Sequence, residues 1–336
     1  MRRTLVAAGV LVATALLIAA CGSSSSSTSS SSASTSGAAK QAKIAYLSFA
    51  VANSYDAPML AAAESAAKTS GATVTVLDAN NDPKAQFAQL QNATASGKYN
   101  AIIVQPIFGT GLITGVQDAI GKGIKVVNMD QILGKDLSTD QPQVKGLSGN
   151  IVFVPTEIGK KLGNLVVQAC QANNLNPCNV GYLYDIKASA LDVAIKQAFD
   201  QATNGKIKVV AQGESFFTPA KGLAAAQNML QAHPEINLIV GSDQGIEGAV
   251  QGIGKKKIAL VGYGGSAAAM QGVASGAWFG DVAQLPATEG RLAAQAAVKA
   301  VGSGANAGGV DPVAALPNGG VITKDNVKQF TAEWPG

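Results

Sequence analysis

Asp130, Asp185 and Asp243 each follow a short apolar run closely, in Val126-Val127-Asn128-Met129-Asp130, Leu183-Tyr184-Asp185 and Val240-Gly241-Ser242-Asp243. Carboxylates so placed can serve two chemistries. Two that flank one glycosidic bond act as acid and base. Single ones accept hydrogen bonds from the hydroxyls of a bound solute. No local motif pairs these three, so sugar hydrolysis is not expected. The single histidine, His233, stands before Pro234 at a helix end, with no nucleophile elbow or paired base beside it. The chain therefore reads as a binder and not an enzyme, with no cofactor and no metal. Each aspartate also has a plainer role open to it: Asp243 as a helix N-cap, Asp130 as a turn residue.

The chain holds 9 Phe, 6 Tyr and 2 Trp, and many of them cluster near the same places as the aspartates. Phe49 and Tyr55 follow one apolar run. Phe108, Tyr184, Phe216, Phe217 and Tyr263 stand at others, and Trp278 precedes one. Asn53, Gln131, Ser242 and Gln284 share those places. Aromatic faces beside planar amides and carboxylates suit a polyhydroxylated ligand, whose CH faces pack on rings while its hydroxyls take directed hydrogen bonds. Tyr184 and Tyr263 could equally be core residues.

The elements that position these residues follow from hydrophobic periodicity. Ile44–Leu47, Thr73–Leu77, Ala101–Val104 and Ile124–Met129 are short, near-continuous apolar runs, as buried parallel strands should be. Helix patterns over 57–70, 83–96 and 111–121 separate them. A polar break over 134–150 follows, and the rhythm restarts with a helix at 157–169 and strands at 180–184, 207–212, 236–240, 258–261 and 279–283. A long Ala-rich helix at 288–301 and a strand pair with a short tail over 312–335 finish the chain. The βαβ rhythm predicts an α/β fold of two similar doubly wound parallel-sheet lobes joined by a hinge near Gly149-Asn150. The first lobe is assigned 43–149 plus about 285–315, the second 150–284 plus about 316–336. Ligands of such sheets bind outside the carboxyl ends of the strands, so the two lobes enclose a cleft there.

The first forty residues set the compartment. Arg2 and Arg3 precede an apolar stretch from Leu5 to Ala20, short for a membrane span and matched to a signal-peptide core. Leu17-Ile18-Ala19-Ala20-Cys21 resembles a bacterial lipobox, which predicts a leader over 1–20 and acylation of Cys21. The Ser-rich stretch over 21–42 cannot bury a core and reads as a tether. The protein is thus expected outside the cytoplasmic membrane, held by lipid at Cys21. Loss of Arg2 and Arg3 with the leader takes the 25 basic residues to 23, against 21 acidic ones. No basic run follows, which argues against nucleic acid as a partner. Cys170 and Cys178 flank a polar turn, and in an oxidising compartment that spacing suits a local disulfide. Two Cys with no nearby His make a poor metal set.

The order of several segments resembles a known family. Val76-Leu77-Asp78-Ala79-Asn80-Asn81-Asp82-Pro83, Ile103-Val104-Gln105-Pro106, Val127-Asn128-Met129-Asp130, Lys221-Gly222-Leu223, Val261-Gly262-Tyr263 and Ala283-Gln284-Leu285-Pro286 are similar to those of type I periplasmic binding proteins of the ribose and simple-sugar class. The resemblance implies a lipoprotein that delivers a ligand to an ABC permease, acting as a monomer. It implies that Asn53 and Tyr55, Asp130, Phe217 and Gln284 touch the sugar. It also marks departures. Gln131 and Ile195 stand where arginines are usual, Ser242 where asparagine is common, and Gly264 where the family has aspartate. With two cations and one anion lost, the pocket is expected to favour a neutral sugar or polyol. A sensory lipoprotein using the same closure, or a binder of a non-sugar small molecule, are the alternatives.

Overall fold

The computed structural model describes residues 41–336. The leader over 1–20, Cys21 and all but the last two residues of the tether lie outside the described residues. The first sheet is built from β1 (Lys43–Ser48), β2 (Thr73–Asp78), β3 (Ala101–Val104), β4 (Lys125–Asp130) and β5 (Gly149–Val152), with α1 (Asp56–Thr69), α2 (Pro83–Ala95) and α3 (Gly109–Gly121) between them. All four residues of β3 are buried, as its unbroken Ala-Ile-Ile-Val run requires of a central parallel strand. β2 lies at the sheet edge and stays partly exposed. Pro83 opens α2 with its φ already helical, while the Asp82 carboxylate accepts from the Lys84 and Ala85 amides.

The second lobe repeats the plan. α4 (Pro155–Ala172), β6 (Asn179–Tyr184), α5 (Ala190–Thr203), β7 (Lys208–Glu214), α6 (Pro219–Ala232), β8 (Leu238–Ser242), α7 (Asp243–Ile253), β9 (Ala259–Gly264), α8 (Ala267–Ser275) and β10 (Gly280–Ala283) follow in order. The chain then returns to the first lobe as α9 (Pro286–Ser303) and β11 (Gly309–Val310), and re-enters the second as β12 (Val321–Thr323). The strand orders are β11-β5-β4-β3-β1-β2 and β12-β10-β9-β8-β6-β7. Each sheet carries apolar clusters on both faces, so both are doubly wound. Phe199 is fully buried against Tyr182 in the second lobe, a ring whose removal from water contributes about 1.5–3 kcal/mol. α9 packs on α1 at Gly290, where any Cβ would collide with the Met59 carbonyl oxygen.

Two details differ from the sequence reading. Gly149–Val152 pairs with β4 in the first sheet and is fully buried, so the chain crosses after Val152 rather than at Gly149-Asn150. The polar segment before it hid a four-residue strand. The expected terminal strand pair does not form. β11 runs parallel beside β5, and β12 runs antiparallel beside β10 in the other sheet. Cys170 at the end of α4 and Cys178 before β6 are bonded to each other, with Cα atoms 5.9 Å apart.

Candidate functional site

The carboxyl ends of the strands in the two sheets face each other across a partly open cavity. The centre of a water-sized sphere ranges over about 70 Å³ inside it. One water needs roughly 10–15 Å³ on that measure, so the space suits one sugar ring or a short polyol and excludes a disaccharide.

The first lobe supplies its polar floor. Gln105, just past β3, is the keystone. Its Oε1 accepts from the Phe49 amide at 3.0 Å, which turns Nε2 toward two carboxyls. That nitrogen donates to Asp56 Oδ1 at 2.6 Å and Asp130 Oδ2 at 3.1 Å. The loop under Gln105 is itself held by buried Gln86, which donates to the Ser48 and Gln105 carbonyls and accepts from the Ile107 amide. Asp130 ends β4 with φ of +66°, a conformation that Asp tolerates better than most residues. Gln131 follows, its carbonyl accepting from Asn128 Nδ2. Asn53 Oδ1 accepts from the Tyr55 amide at 2.8 Å, which leaves its Nδ2 to donate.

The second lobe supplies the roof. Ser242 at the end of β8 and Tyr263 in β9 both donate to Asp185 beneath them, at 2.6 and 2.5 Å. Ser215 donates to the same carboxylate at 2.5 Å. Phe216 and Phe217 have φ of +50° and +53°, each costing about 1–2 kcal/mol for a non-glycine residue. This turn points Phe216 outward and brings Phe217 to the cavity. Ile158, Leu191 and Ile195 form an apolar wall, so the side of the cleft expected to lack its usual arginine is aliphatic.

The two lobes touch. Gln244 Nε2 donates to Asn53 Oδ1 at 3.2 Å and Ser54 Oγ at 3.0 Å. The Phe49 and Phe217 rings meet edge to face at 6.2 Å, and Tyr55 meets Trp334 at 5.3 Å. These contacts define a closed arrangement. Trp334 belongs to the C-terminal tail, which is fixed to the second lobe where the Ala267 and Ala268 amides donate to the Trp334 and Pro335 carbonyls. Its Nε1 donates to the Gly264 carbonyl at 2.7 Å. A Cβ on Gly264 would fall 2.7 Å from Trp334 Cζ2 and 2.7 Å from Asp243 Oδ2. The indole therefore occupies the space that an aspartate at position 264 would need.

Burial dominates the electrostatics. It pushes the Asp56 carboxyl up to about 8, with the neighbouring Asp130 charge adding to the rise and Gln105 opposing it. Burial likewise raises Asp130 to about 6, again against Gln105. Asp185 is raised by burial and lowered by its three hydroxyl donors. Among the described residues no Lys, Arg or His lines the cavity.

Phe49, Asn53, Tyr55, Asp130, Gln131, Phe217, Ser242 and Gln284 all reach the cavity. Tyr184 and Asp243 do not. Tyr184 alternates with Leu183 along β6 and so shares the face of Tyr182, whose ring it meets at 4.8 Å with the planes tilted by 60°. Asp243 lies behind Gly264, fully buried, and accepts from the Ser266 amide at 2.7 Å. Sequence reasoning missed Asp56, Gln105, Gln244, Ile158 and Trp334 as lining residues. Gln105 stood just past an apolar strand, a signal that was available; Trp334 gave none.

A family model described as periplasmic binding protein domain matches residues 44–305. The ribose import binding protein RbsB of Bacillus subtilis is 26% identical over 240 residues, covering 70% of this chain and 73% of its own. The D-allose-binding periplasmic protein of Escherichia coli is 28% identical over 252 residues, covering 72% and 78%. Among solved structures, the Caulobacter myo-inositol binding protein superposes with a TM-score of 0.73 at 20% identity, covering 86% of this chain and 95% of its own. A galactofuranose binding protein gives 0.73 at 19%, covering 86% and 96%. With the model matching well over half of its length, the chain belongs to the periplasmic binding protein domain family.

Proposed function

We propose that the protein is the solute-binding component of an ABC importer and captures one small sugar or polyol between its lobes. The observation that carries this reading is the cavity itself. Both lobes wall it, polar groups cover its floor, aromatic rings Phe49 and Phe217 meet across it, and its volume matches one small ring. The ribose and allose named as ligands of the relatives support the same ligand class. Asn53, Asp130, Gln131, Ser242 and Gln284 would take the hydroxyls. Phe49, Tyr55 and Phe217 would take the CH faces, because aromatic rings present apolar area with little rotamer freedom to lose. Tyr184 and Asp243 support the roof instead. Binding would favour the closed arrangement, and that form would dock on a permease. The protein would work as a monomer outside the cytoplasmic membrane, after cleavage before Cys21 and acylation there. Cys170 and Cys178 would be oxidised in that compartment.

Thermal melting against pentoses, hexoses, polyols, nucleosides and amino acids tests the reading. A ligand at 100 times its dissociation constant adds about 2.7 kcal/mol of stability. A rise with sugars or polyols alone is expected. A rise with nucleosides or amino acids and none with any sugar or polyol would overturn the assignment.

A further inference from the structure

The polar lining of the cavity is unbalanced toward acceptors. Gln105 uses Nε2 on Asp56 and Asp130. Gln244 uses Nε2 on Asn53 and Ser54. The hydroxyl hydrogens of Ser242 and Tyr263 both go to Asp185, and Ser242 Oγ also accepts from the Gly245 amide, so neither hydroxyl is left to donate to a ligand. Trp334 commits its N–H to the Gly264 carbonyl. The side-chain amides of Asn53, Gln131 and Gln284 and the unpartnered Tyr55 hydroxyl are the neutral donors left. Two carboxyls face them, and no cationic side chain lines the space.

We propose that the captured sugar or polyol carries a protonated primary amine, as in an amino sugar or an aminocyclitol, and that its ammonium lies between Asp56 and Asp130. This rests on the reading that the cleft takes a sugar or polyol. An ammonium offers three N–H donors and accepts nothing, which is the complement of this floor. Beside a neutral hydroxyl Asp56 keeps its proton in the closed arrangement, whereas an ammonium gives both carboxylates a counter-charge. One nitrogen, that of Gln105, already spans the two carboxyls at 2.6 and 3.1 Å, so a second nitrogen of similar reach can do the same. Asp56 is only 6% exposed, and hydrogen bonds between buried ionised groups are the strong ones. The aliphatic wall of Ile158, Leu191 and Ile195 then meets the unsubstituted face of the ring. The neutral ligand expected from the sequence followed from the missing arginines and aspartate; Asp56, which that reading did not include, adds a second carboxyl beside Asp130.

Matched pairs decide it. Calorimetric titration of the purified full-length protein would use glucosamine and glucose, galactosamine and galactose, mannosamine and mannose, scyllo-inosamine and scyllo-inositol, and glucamine and sorbitol. At least one amine should bind about 10- to 100-fold more tightly than its hydroxyl parent. Asp56→Asn and, independently, Asp130→Asn should bring that ratio down toward about one; melting of each variant checks that it folds. A neutral parent that binds as tightly as its amine would overturn the proposal and leave the sugar-or-polyol reading standing. An amine preference that survives unchanged in both variants would overturn it too. Failure of every compound in both series would overturn this proposal, and the sugar-or-polyol reading falls with it only if melting also finds no pentose, hexose or polyol that binds.

Discussion

Raising the pH should open the ligand-free protein, and the cause is Asp56. In the closed arrangement its carboxyl is pushed from 3.8 up to about 8, chiefly by burial. A folded value above the unfolded one means that the closed state binds the extra proton. The closed state is therefore favoured at low pH, and this advantage is lost as pH rises from about 4 through about 8. Held in place, the ionised carboxyl would cost on the order of 5 kcal/mol. Opening the cleft hydrates Asp56, because it lines the cavity, and so relieves the penalty. If only about 1.4 kcal/mol of that appears in the lobe equilibrium, the ratio of closed to open changes tenfold. Asp130, raised to about 6, adds to the lower part of the same window. Glu289, fully buried, is held well above the usual carboxylate range by burial and then by the Asp130 charge. Small-angle scattering of the ligand-free protein from about pH 5 to about pH 9 should show the radius of gyration rising through the neutral range. Trp334 emission should change with it, since its ring meets Tyr55 across the lobes. Asp56→Asn should flatten most of the response. A radius and emission that do not move with pH, or an Asp56→Asn profile that matches the parent, would refute the reasoning.

Gly264→Asp restores the residue usual in the family but places a Cβ 2.7 Å from both Trp334 and Asp243 at φ of +149°. It should cost roughly 3–5 kcal/mol and lower the melting temperature by roughly 5–10 °C, with no gain in affinity. Differential scanning calorimetry reads the first effect, and Trp334→Ala in the same chain should recover part of it. Replacing Cys170 and Cys178 by Ser opens a bridge of sequence separation 8 and should cost about 2.5 kcal/mol in the chain-entropy model; mass analysis without reductant should find both thiols oxidised in the parent. Gln244→Ala removes two hydrogen bonds made between the lobes, worth about 1–2 kcal/mol together. Ligand dissociation followed by stopped flow should speed up roughly 5- to 30-fold, while unfolding of the ligand-free protein changes little.

The architecture was legible because each buried parallel strand is a short unbroken apolar run, and the residues just past those runs are the ones that reach the cleft. Asn53, Asp130, Ser242 and Gln284 were found that way. The same rule failed at Tyr184, where side-chain alternation along β6 turns the ring toward Tyr182 and the core beneath the helices. It failed at Asp243, where the first turn of α7 points the carboxylate behind Gly264. Asp56 was not singled out, since only the tertiary fold brings Gln105 and Asp130 to it. Trp334 lies 70 residues from the carbonyl it holds, and no local pattern encodes a contact of that range. β5 was lost because four buried residues follow a long polar stretch without a periodic signal.

Asp130 is the residue on which sugar or polyol capture depends most directly, and Asn is the replacement that keeps its shape and tolerates its positive φ. The decisive measurement is calorimetric titration of the sugar or polyol found by melting into the parent and into Asp130→Asn. A loss of about 10-fold or more in affinity is expected, for a carboxylate that accepts hydrogen bonds from the ligand. Affinity unchanged to within about twofold would show that Asp130 only shapes the end of β4 and that the solute is held elsewhere.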